Sequence, residues 1–380
     1  MSITPKIRFR DEKGQSYPDW KPVEMGELYT ERNERGNNDL PILSVSIHSG
    51  VSDNEEDEKT LGKRVKRSED KSLYKRVYPG DLVFNMMRAW QGAIGTVKTE
   101  GMISPAYISA RPNEDVYPDF MNYFMRTEKM IGLINRQSYG VTDFRKRLYW
   151  DSFANIRCHI PCIDEQKRIT DFFVQIDALI STIEEQIQSL VIQKSETLKK
   201  VFSCEKRFQD INGEQYPAWQ KVKIGNILTI CHGKDYKHLG EGTIPVLGTG
   251  GVIGYVDTAL CDWECVLIGR KGTIDKPQYM NTPFWSVDTL FYSKPRDGQN
   301  VKFQYYLFQN INWKKFNEAT GVPSLSASTI ENIEVEIPCI QEQEHIATFF
   351  TLFDETIESK KMVLEKWKRI RKGFLQQMFV

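Results

Sequence analysis

Residues 160–173 read IPCIDEQKRITDFF and residues 337–350 read IPCIQEQEHIATFF, one segment written twice at an offset of 177. Pro161 matches Pro338, Gln166 matches Gln343, Phe173 matches Phe350 and Asp177 matches Asp354. A second set recurs at an offset of 199: Phe9, Gly14, Tyr17, Pro18, Trp20, Val23 and Gly26 return as Phe208, Gly213, Tyr216, Pro217, Trp219, Val222 and Gly225. The fall from 199 to 177 makes the segment between the two frames 22 residues longer in the first copy. A duplicated frame holding two unlike inserts predicts two domains on a common scaffold, and a protein that recognises two different things at a fixed separation.

Each repeated boundary reads as the start of a long helix. Asp164 to about Cys204 holds no Pro or Gly, and Phe173, Ile176, Ile180, Ile183, Ile187, Leu190 and Val201 follow alternating steps of three and four, a heptad seam. The same frame in copy two gives Phe350, Phe353, Ile357, Leu364, Trp367, Phe374 and Met378. About 40 residues at 1.5 Å per residue make each helix about 60 Å long. A helix with one apolar stripe needs a partner, and the nearest candidate is the other copy. Lys194 and Arg371 occupy equivalent seam positions, so antiparallel pairing, which keeps like charges apart, is expected. The alternative is that each helix packs only on its own domain. Phe172, Leu179, Leu198, Phe349 and Leu375 lie off the seam and predict two further, similar docking faces. The chain also closes on itself as a repeat: TLKKVFSCEKRFQD precedes copy two, while the chain ends GFLQQMFV and begins MSITPKIRFRD. The ends are therefore expected to lie close together.

The variable segments, roughly 25–150 and 224–330, read as mixed α+β domains. YPGDLVF from Tyr78 to Phe84 and CDWECVLI from Cys261 to Ile268 each suggest a turn into a buried strand. Residues 117–134 and 301–311 suggest apolar-faced helices, and each copy then turns at a Gly-Val pair, Gly140-Val141 and Gly321-Val322. The extra length of copy one is placed near 53–72, where an acidic run meets LGKRVKRSEDK. Such a run reads as a solvated loop, with Lys63, Arg64, Lys66 and Arg67 as phosphate contacts in the sharper reading.

Composition excludes several classes. Lys+Arg 51 balances Asp+Glu 51, so no global field draws the chain to a polyanion and any such binding is local. No apolar run approaches the roughly 20 residues of a membrane span, and the polar first residues are not a signal peptide; a cytoplasmic location without membrane partners is expected. Seven cysteines without close pairing fit reduced thiols. Cys261 and Cys265, and Cys231 beside His232, lack a second ligand pair at zinc spacing; Cys162 and Cys339 read as small core residues. There is no GxxxxGK, no GxGxxG after a strand, no HExxH, no GxSxG and no DPPY or NPPY. The chain is expected to be no enzyme by itself and to hold no metal or cofactor.

The circular duplication, IPxIxEQxxI opening a long helix, YPxW before each insert, and Thr-Gly-Val-Pro-Ser-Leu-Ser at 320–326 together resemble the specificity subunits of type I restriction-modification systems. The resemblance covers nearly the whole chain. It implies an α+β fold of two target recognition domains separated by two long helices paired as an antiparallel coiled coil, in a pseudo-twofold circular arrangement. The divisions become 1–155 for the first recognition domain, 156–205 for the central conserved helical region, 206–332 for the second recognition domain and 333–380 for the C-terminal helical region. It also implies partners: double-stranded DNA read as an interrupted, two-part target, two methylase subunits that carry S-adenosylmethionine, and motor/endonuclease subunits joined through the methylase core. Where copy two has Pro-Ser-Leu-Ser, copy one has Thr142-Asp143-Phe144-Arg145-Lys146-Arg147, a departure that puts a shared contact geometry there in doubt.

Base edges are read by Arg or Lys on guanine and Asn or Gln on adenine, while Lys, Ser and backbone amides take phosphates. The candidates in copy one are Arg88 and Gln91 in NMMRAWQGAIG, with Arg136, Gln137, Ser138, Thr142, Arg145 and Arg147 around the Gly140 turn. Those in copy two are Arg270 and Lys271 in IGRKGTI, with Lys234, Lys237, Ser324 and Ser326 on other loops. Trp20 and Trp219 recur and read as scaffold. The rival reading is a scaffold that grips two protein partners without reading DNA; clustered Arg, Lys and Gln on equivalent loops weigh against it.

Overall fold

The computed structural model describes residues 5–37, 39–54, 72–142 and 145–379. The chain divides into two compact units: residues 1–183 with 363–380, and residues 184–362.

In the first unit, β1 (Lys21–Glu24) leads through the short helix α1 (Met25–Leu28) into β2 (Tyr29–Arg32), followed by β3 (Val45–Ser46), β4 (Gly50–Val51), β5 (Lys75–Val77), β6 (Leu82–Asn85), β7 (Ile94–Thr96), β8 (Gly101–Ile103) and β9 (Tyr107–Pro112). The helices α2 (Pro118–Phe124), α3 (Glu128–Gln137) and α4 (Trp150–Ala154) and the strand β10 (Arg157–Ile160) precede the long helix α5 (Ile163–Phe202). Strands β2, β9, β6 and β7 form an antiparallel sheet in that order. The helix expected over 117–134 is two helices, because Thr127 starts α3 afresh by accepting the Met130 amide with its hydroxyl.

The second unit repeats the plan with β11 (Gln220–Lys223), β12 (Leu228–His232), β13 (Ile244–Gly248), β14 (Gly251–Val256), β15 (Cys265–Gly269), β16 (Gln278–Met280), β17 (Trp285–Ser286) and β18 (Leu290–Pro295). Helices α6 (Val301–Asn310) and α7 (Ala327–Asn332), strand β19 (Glu334–Ile337) and the long helix α8 (Ile340–Met378) follow. Its four-stranded sheet runs β12, β18, β15, β16, the counterpart of β2, β9, β6, β7. The register agrees: Tyr29 faces Pro112 as Leu228 faces Pro295, and Lys21 faces Ile160 as Gln220 faces Ile337.

These pairings place the extra length of copy one. The offset is 199 at Tyr29/Leu228 but 183 at Pro112/Pro295, so 16 of the 22 residues enter between those points, an interval that contains 53–72. Lys63, Arg64, Lys66 and Arg67 lie outside the described residues.

Both inserts are fastened to the frame by the same contact. Glu165 and Glu342 are fully buried. Arg8 donates Nε and Nη2 to the Glu165 carboxylate at 3.0 and 2.7 Å, and Arg207 does so to Glu342 at 3.1 and 2.7 Å. The indole N–H of Trp20 reaches Glu165 at 3.2 Å and that of Trp219 reaches Glu342 at 3.0 Å. The same guanidinium caps the carbonyls of Tyr17 and Pro18, or of Tyr216 and Pro217. Gln166 and Gln343 brace the adjoining turn by donating to the carbonyls of Pro161 and Pro338 at 3.0 and 3.1 Å. The recurrent glycines Gly14 and Gly213 hold positive φ of 76° and 84° in the preceding turn, where a side chain would be strained.

Within each unit the two long helices run antiparallel. Asp177 of α5 accepts from Arg371 of α8 in the first unit; Asp354 of α8 accepts from Lys194 of α5 at 2.6 Å in the second. The seam cations are thus each neutralised by the repeated aspartate, which also accepts the hydroxyl of Tyr123 or Tyr306, both at 2.8 Å. The circularity of the repeat is present as a bond: the Ile7 amide donates to the Gln377 carbonyl at 3.2 Å, the counterpart of Lys206 to Lys200 at 3.0 Å within the continuous chain.

Two expectations need correction. Phe172, Leu375, Leu198 and Phe349 are not spare docking positions, since the first two pack into the core of the first unit and the last two into that of the second; of the five only Leu179 stays exposed. Cys162 and Cys339 are half-buried rather than core residues.

Removing Glu342 strands a guanidinium and an indole N–H in a largely water-free site. Glu342→Ala should cost roughly 3 kcal/mol, the usual penalty for breaking a buried pair by deleting one partner, against about 1 kcal/mol for Trp219→Phe, which deletes one hydrogen bond. Denaturant midpoints of the two variants check the order; equal losses would show that the carboxylate is not the fastening.

Candidate nucleic-acid interface

In the first unit β6 ends at Asn85 and the chain turns through Met86, Met87 and Arg88 into a short 3-10 segment, Ala89–Gln91. The segment after α3 folds back on it: Tyr139 and Arg147 exchange backbone bonds of 3.1 and 3.0 Å, and the Leu148 amide reaches the Met86 carbonyl at 2.9 Å. Gly140 allows this reversal, because a Cβ there would stand 2.3 Å from the Arg145 carbonyl oxygen. The turn carries Arg88, Gln91, Arg145 and Arg147, all exposed, on one connected surface. Lys146 lies over the Trp90 ring at 5.8 Å, and the Tyr139 and Tyr149 rings stand 5.3 Å apart, Tyr139 the more exposed of the two. Arg88, Arg145 and Arg147 have no carboxylate partner among the described residues, so each guanidinium is available to an acceptor from outside. Thr142 is exposed and receives the Arg145 amide on its carbonyl at 2.9 Å; Asp143 and Phe144 lie outside the described residues.

The remaining candidates of copy one sit elsewhere. Arg136 and Gln137 line a separate groove of about 340 Å³ with Glu24 and Arg157. Ser138 is buried and donates its hydroxyl to the Ile134 carbonyl at 2.8 Å, closing the end of α3.

In the second unit the corresponding turn follows β15. The Leu325 amide reaches the Arg270 carbonyl at 2.9 Å, as Leu148 reaches Met86, and the Arg270 amide reaches Thr289 at 2.9 Å, as Met86 reaches Ala106. Backbone equivalence therefore pairs Arg270 with Met86, and the arginines of the two turns stand two residues out of step. Arg270 is half-buried with Nη1 3.3 Å from the Asp288 carbonyl; Lys271 is exposed and bridges Ser324. Lys234 joins the same surface through its amide to Ser286 at 2.7 Å, and its carbonyl accepts the Trp285 indole at 2.9 Å; Lys237 is exposed on the same loop. Ser324 and Ser326 are half-buried. Ser326 caps α7 by accepting the Thr329 amide at 3.1 Å and donates to Glu318 at 2.9 Å, a structural commitment rather than a free donor.

Sequence reasoning missed the aromatic component at Trp90 and Tyr149 and the exposed apolar hairpin of β13 and β14, where Val252, Ile253 and Tyr255 face solvent. The signal for the hairpin is present in the glycines at 248, 250, 251 and 254, which permit a tight turn between two strands.

A family model for the type I restriction modification DNA specificity domain matches residues 217–368. The MjaVIII type I restriction enzyme specificity subunit of Methanocaldococcus jannaschii is 23% identical over 318 residues, 73% of each chain. The putative MjaX specificity subunit of the same organism is 22% identical over 96% of this chain and 94% of its own. Among solved structures, the S subunit of a type I restriction-modification system from M. genitalium matches 100% of this chain and 99% of its own, with a TM-score of 0.61 at 15% identity. A chain from a structure concerned with complex assembly and conformational transition of the type I R-M system matches 96% and 98% with a TM-score of 0.59 at 17% identity.

Ser326→Ala removes a helix cap and should cost about 1 kcal/mol. Hydrogen bonds from Thr329 and Ser326 hold the Glu318 carboxyl below its ordinary value; this depressed group stabilises the loop above the ordinary carboxyl range, and that contribution is lost as pH falls through the folded-state value. The variant should move Glu318 back towards that range, read by NMR titration, and an unmoved Glu318 would exclude the coupling.

Proposed function

We propose that this chain, which is similar to the specificity subunits of type I restriction-modification systems, is one of them and recognises a two-part, interrupted DNA sequence, one part by each variable segment. The observation that carries this reading is the recurrence, in unlike sequences, of one turn after the equivalent central strands β6 and β15, each furnished with cationic side chains. Arg88, Arg145 and Arg147 in the first unit, and Arg270, Lys271 and Lys234 in the second, have no carboxylate partner among the described residues, which suits them to phosphates and guanine edges. Gln91 adds a group matched to adenine, and the exposed tyrosines add faces for stacking. In this reading residues 1–155 and 206–332 are the recognition domains, and 156–205 with 333–380 are the helical regions.

Among the described residues no helix is long and apolar enough to cross a membrane. In this reading the chain acts by placement: it directs two methylase subunits, which bind S-adenosylmethionine, and through them the motor/endonuclease subunits. A scaffold without DNA contact differs in one measurement, because only phosphate contacts make affinity fall steeply with salt.

Replacing residues 224–330 by the equivalent segment of a relative should change one half of the methylated sequence and leave the other intact. Arg270→Ala should cost roughly 1 to 3 kcal/mol and relax one position only if it pairs with guanine. Inserting four residues at about Gln188 lengthens the helix axis by roughly 6 Å, or one to two base pairs at about 3.4 Å each, so the spacer should grow while the half-sites stay. Methylation-aware sequencing reads all three. Changes in both half-sites on segment exchange would refute separate recognition domains, and an unchanged spacer with retained activity would refute the helical ruler.

A further inference from the structure

The two units differ in charge at one equivalent place. Tyr117 and Asn300 both donate their amides to the frame glutamine, Gln166 or Gln343, and Tyr123 and Tyr306 both donate to the frame aspartate. This fixes an offset of 183 for the helices α2 and α6 and makes Arg126 the counterpart of Gln309. In the second unit the seam is balanced: Lys194 is received by Asp354 at 2.6 Å and by the Gln309 side-chain oxygen at 3.2 Å. In the first unit Arg371 takes Asp177, and the position of the neutral glutamine holds a second cation. Arg126 has one acceptor, the His48 carbonyl, and no carboxylate partner among the described residues.

Arg126 and Arg371 face a cavity of about 480 Å³ lined also by His48, Lys98, Asn122 and Tyr123. Three cationic and two carboxylate side chains line it, whereas two cationic and three carboxylate side chains line the cavity beside Asp354 in the second unit. Burial and the charge of Arg371 both press on Arg126 and push its guanidinium pKa down. A guanidinium is not neutralised by losing its proton in a protein, and Asp177, the carboxylate that offsets Arg126, is already bound by Arg371, so an added oxyanion would relieve the remaining positive charge. Its fork and the second guanidinium beside it match phosphate oxygens.

We infer that the cavity between α2, the β3–β4 turn and the long helices in the first unit binds a phosphoryl oxyanion through Arg126 and Arg371, and that the second unit has no such site. The anion can be inorganic phosphate or a phosphate of a bound duplex; the inference from charge and shape stands apart from the proposed base contacts. The test uses the full chain and inorganic phosphate exchanged for chloride at constant ionic strength, followed by isothermal titration and thermal unfolding. Phosphate should bind and raise the unfolding temperature of the wild type; Arg126→Gln, which copies Gln309, should weaken binding about tenfold, and Arg126→Lys should retain part of it. If the occupant is a duplex phosphate, Arg126→Gln should also lower the slope of log affinity against log salt by about one for any DNA sequence, and free phosphate should compete with DNA; if it is a free anion, that slope stays unchanged. Equal phosphate responses in wild type and Arg126→Gln would overturn the inference. So would a wild-type response that disappears on adding the methylase subunit with no phosphate effect on DNA affinity, which would give the site to a partner carboxylate.

Discussion

A single carboxylate decides how each insert is held. Glu165 and Glu342 are the first glutamates after the Ile-Pro-Cys-Ile turn, each fully buried, and a buried charge is tolerated only when paired and hydrogen-bonded. Both oxygens of each are used by an arginine from the strap that precedes the insert, and one also takes a tryptophan N–H. The arginine in turn satisfies carbonyls of the Tyr-Pro turn. Helix, strap and turn are therefore mutually dependent, and removing Glu165 orphans both Arg8 and Trp20. That dependence explains why these residue types occur twice at two different offsets: the strap and the helix start keep their chemistry while the chain between them varies in length.

The helix seam obeys the same logic with a different outcome. A lysine or arginine on an apolar stripe would be costly if it faced its own kind, and antiparallel packing within each unit instead gives it the repeated aspartate. The tyrosine hydroxyl and ring add a hydrogen bond to that aspartate and a face for the cation, at 5.1 Å for Lys194 and 5.9 Å for Arg371. The seam is thus polar at one layer per unit and apolar at Phe173, Ile176 and Ile183 or at Phe350, Ile357 and Leu364, all buried. One polar layer in an apolar seam penalises a slipped register, because a shift would leave the aspartate without its cation.

Much of this was legible in the chain. The heptad steps located α5 to within a residue or two, because a 40-residue amphipathic pattern without glycine or proline has few alternatives; α8 repeats the frame and runs through Gly373. The circular junction was legible because the chain ends resemble its middle. Arg8 and Arg207 were not, since an arginine beside a polar strap looks like any surface charge until its carboxylate is placed. The spare apolar positions were misread for a related reason: a hydrophobic residue off the seam can face a partner or its own domain, and periodicity does not distinguish the two. Within the candidate interface, Ser138 and Ser326 illustrate the same limit, because serine near a helix end is as suited to capping as to phosphate.

The inserts, which looked unlike, share a sheet order and the register of their first strand pair, and diverge where the chain leaves β6 and β15. From Gly140 to the buried Leu148 is eight residues, but from Gly321 to the buried Leu325 only four. Both leucines make the same backbone bond, so the connection of copy one is four residues longer between equivalent points, and Arg145 and Arg147 belong to it. Copy two spends its shorter connection on the cap of α7 and presents cations from Arg270, Lys271 and Lys234 instead. Shared anchor points with loops of unequal length between them make the two surfaces chemically different without disturbing either core.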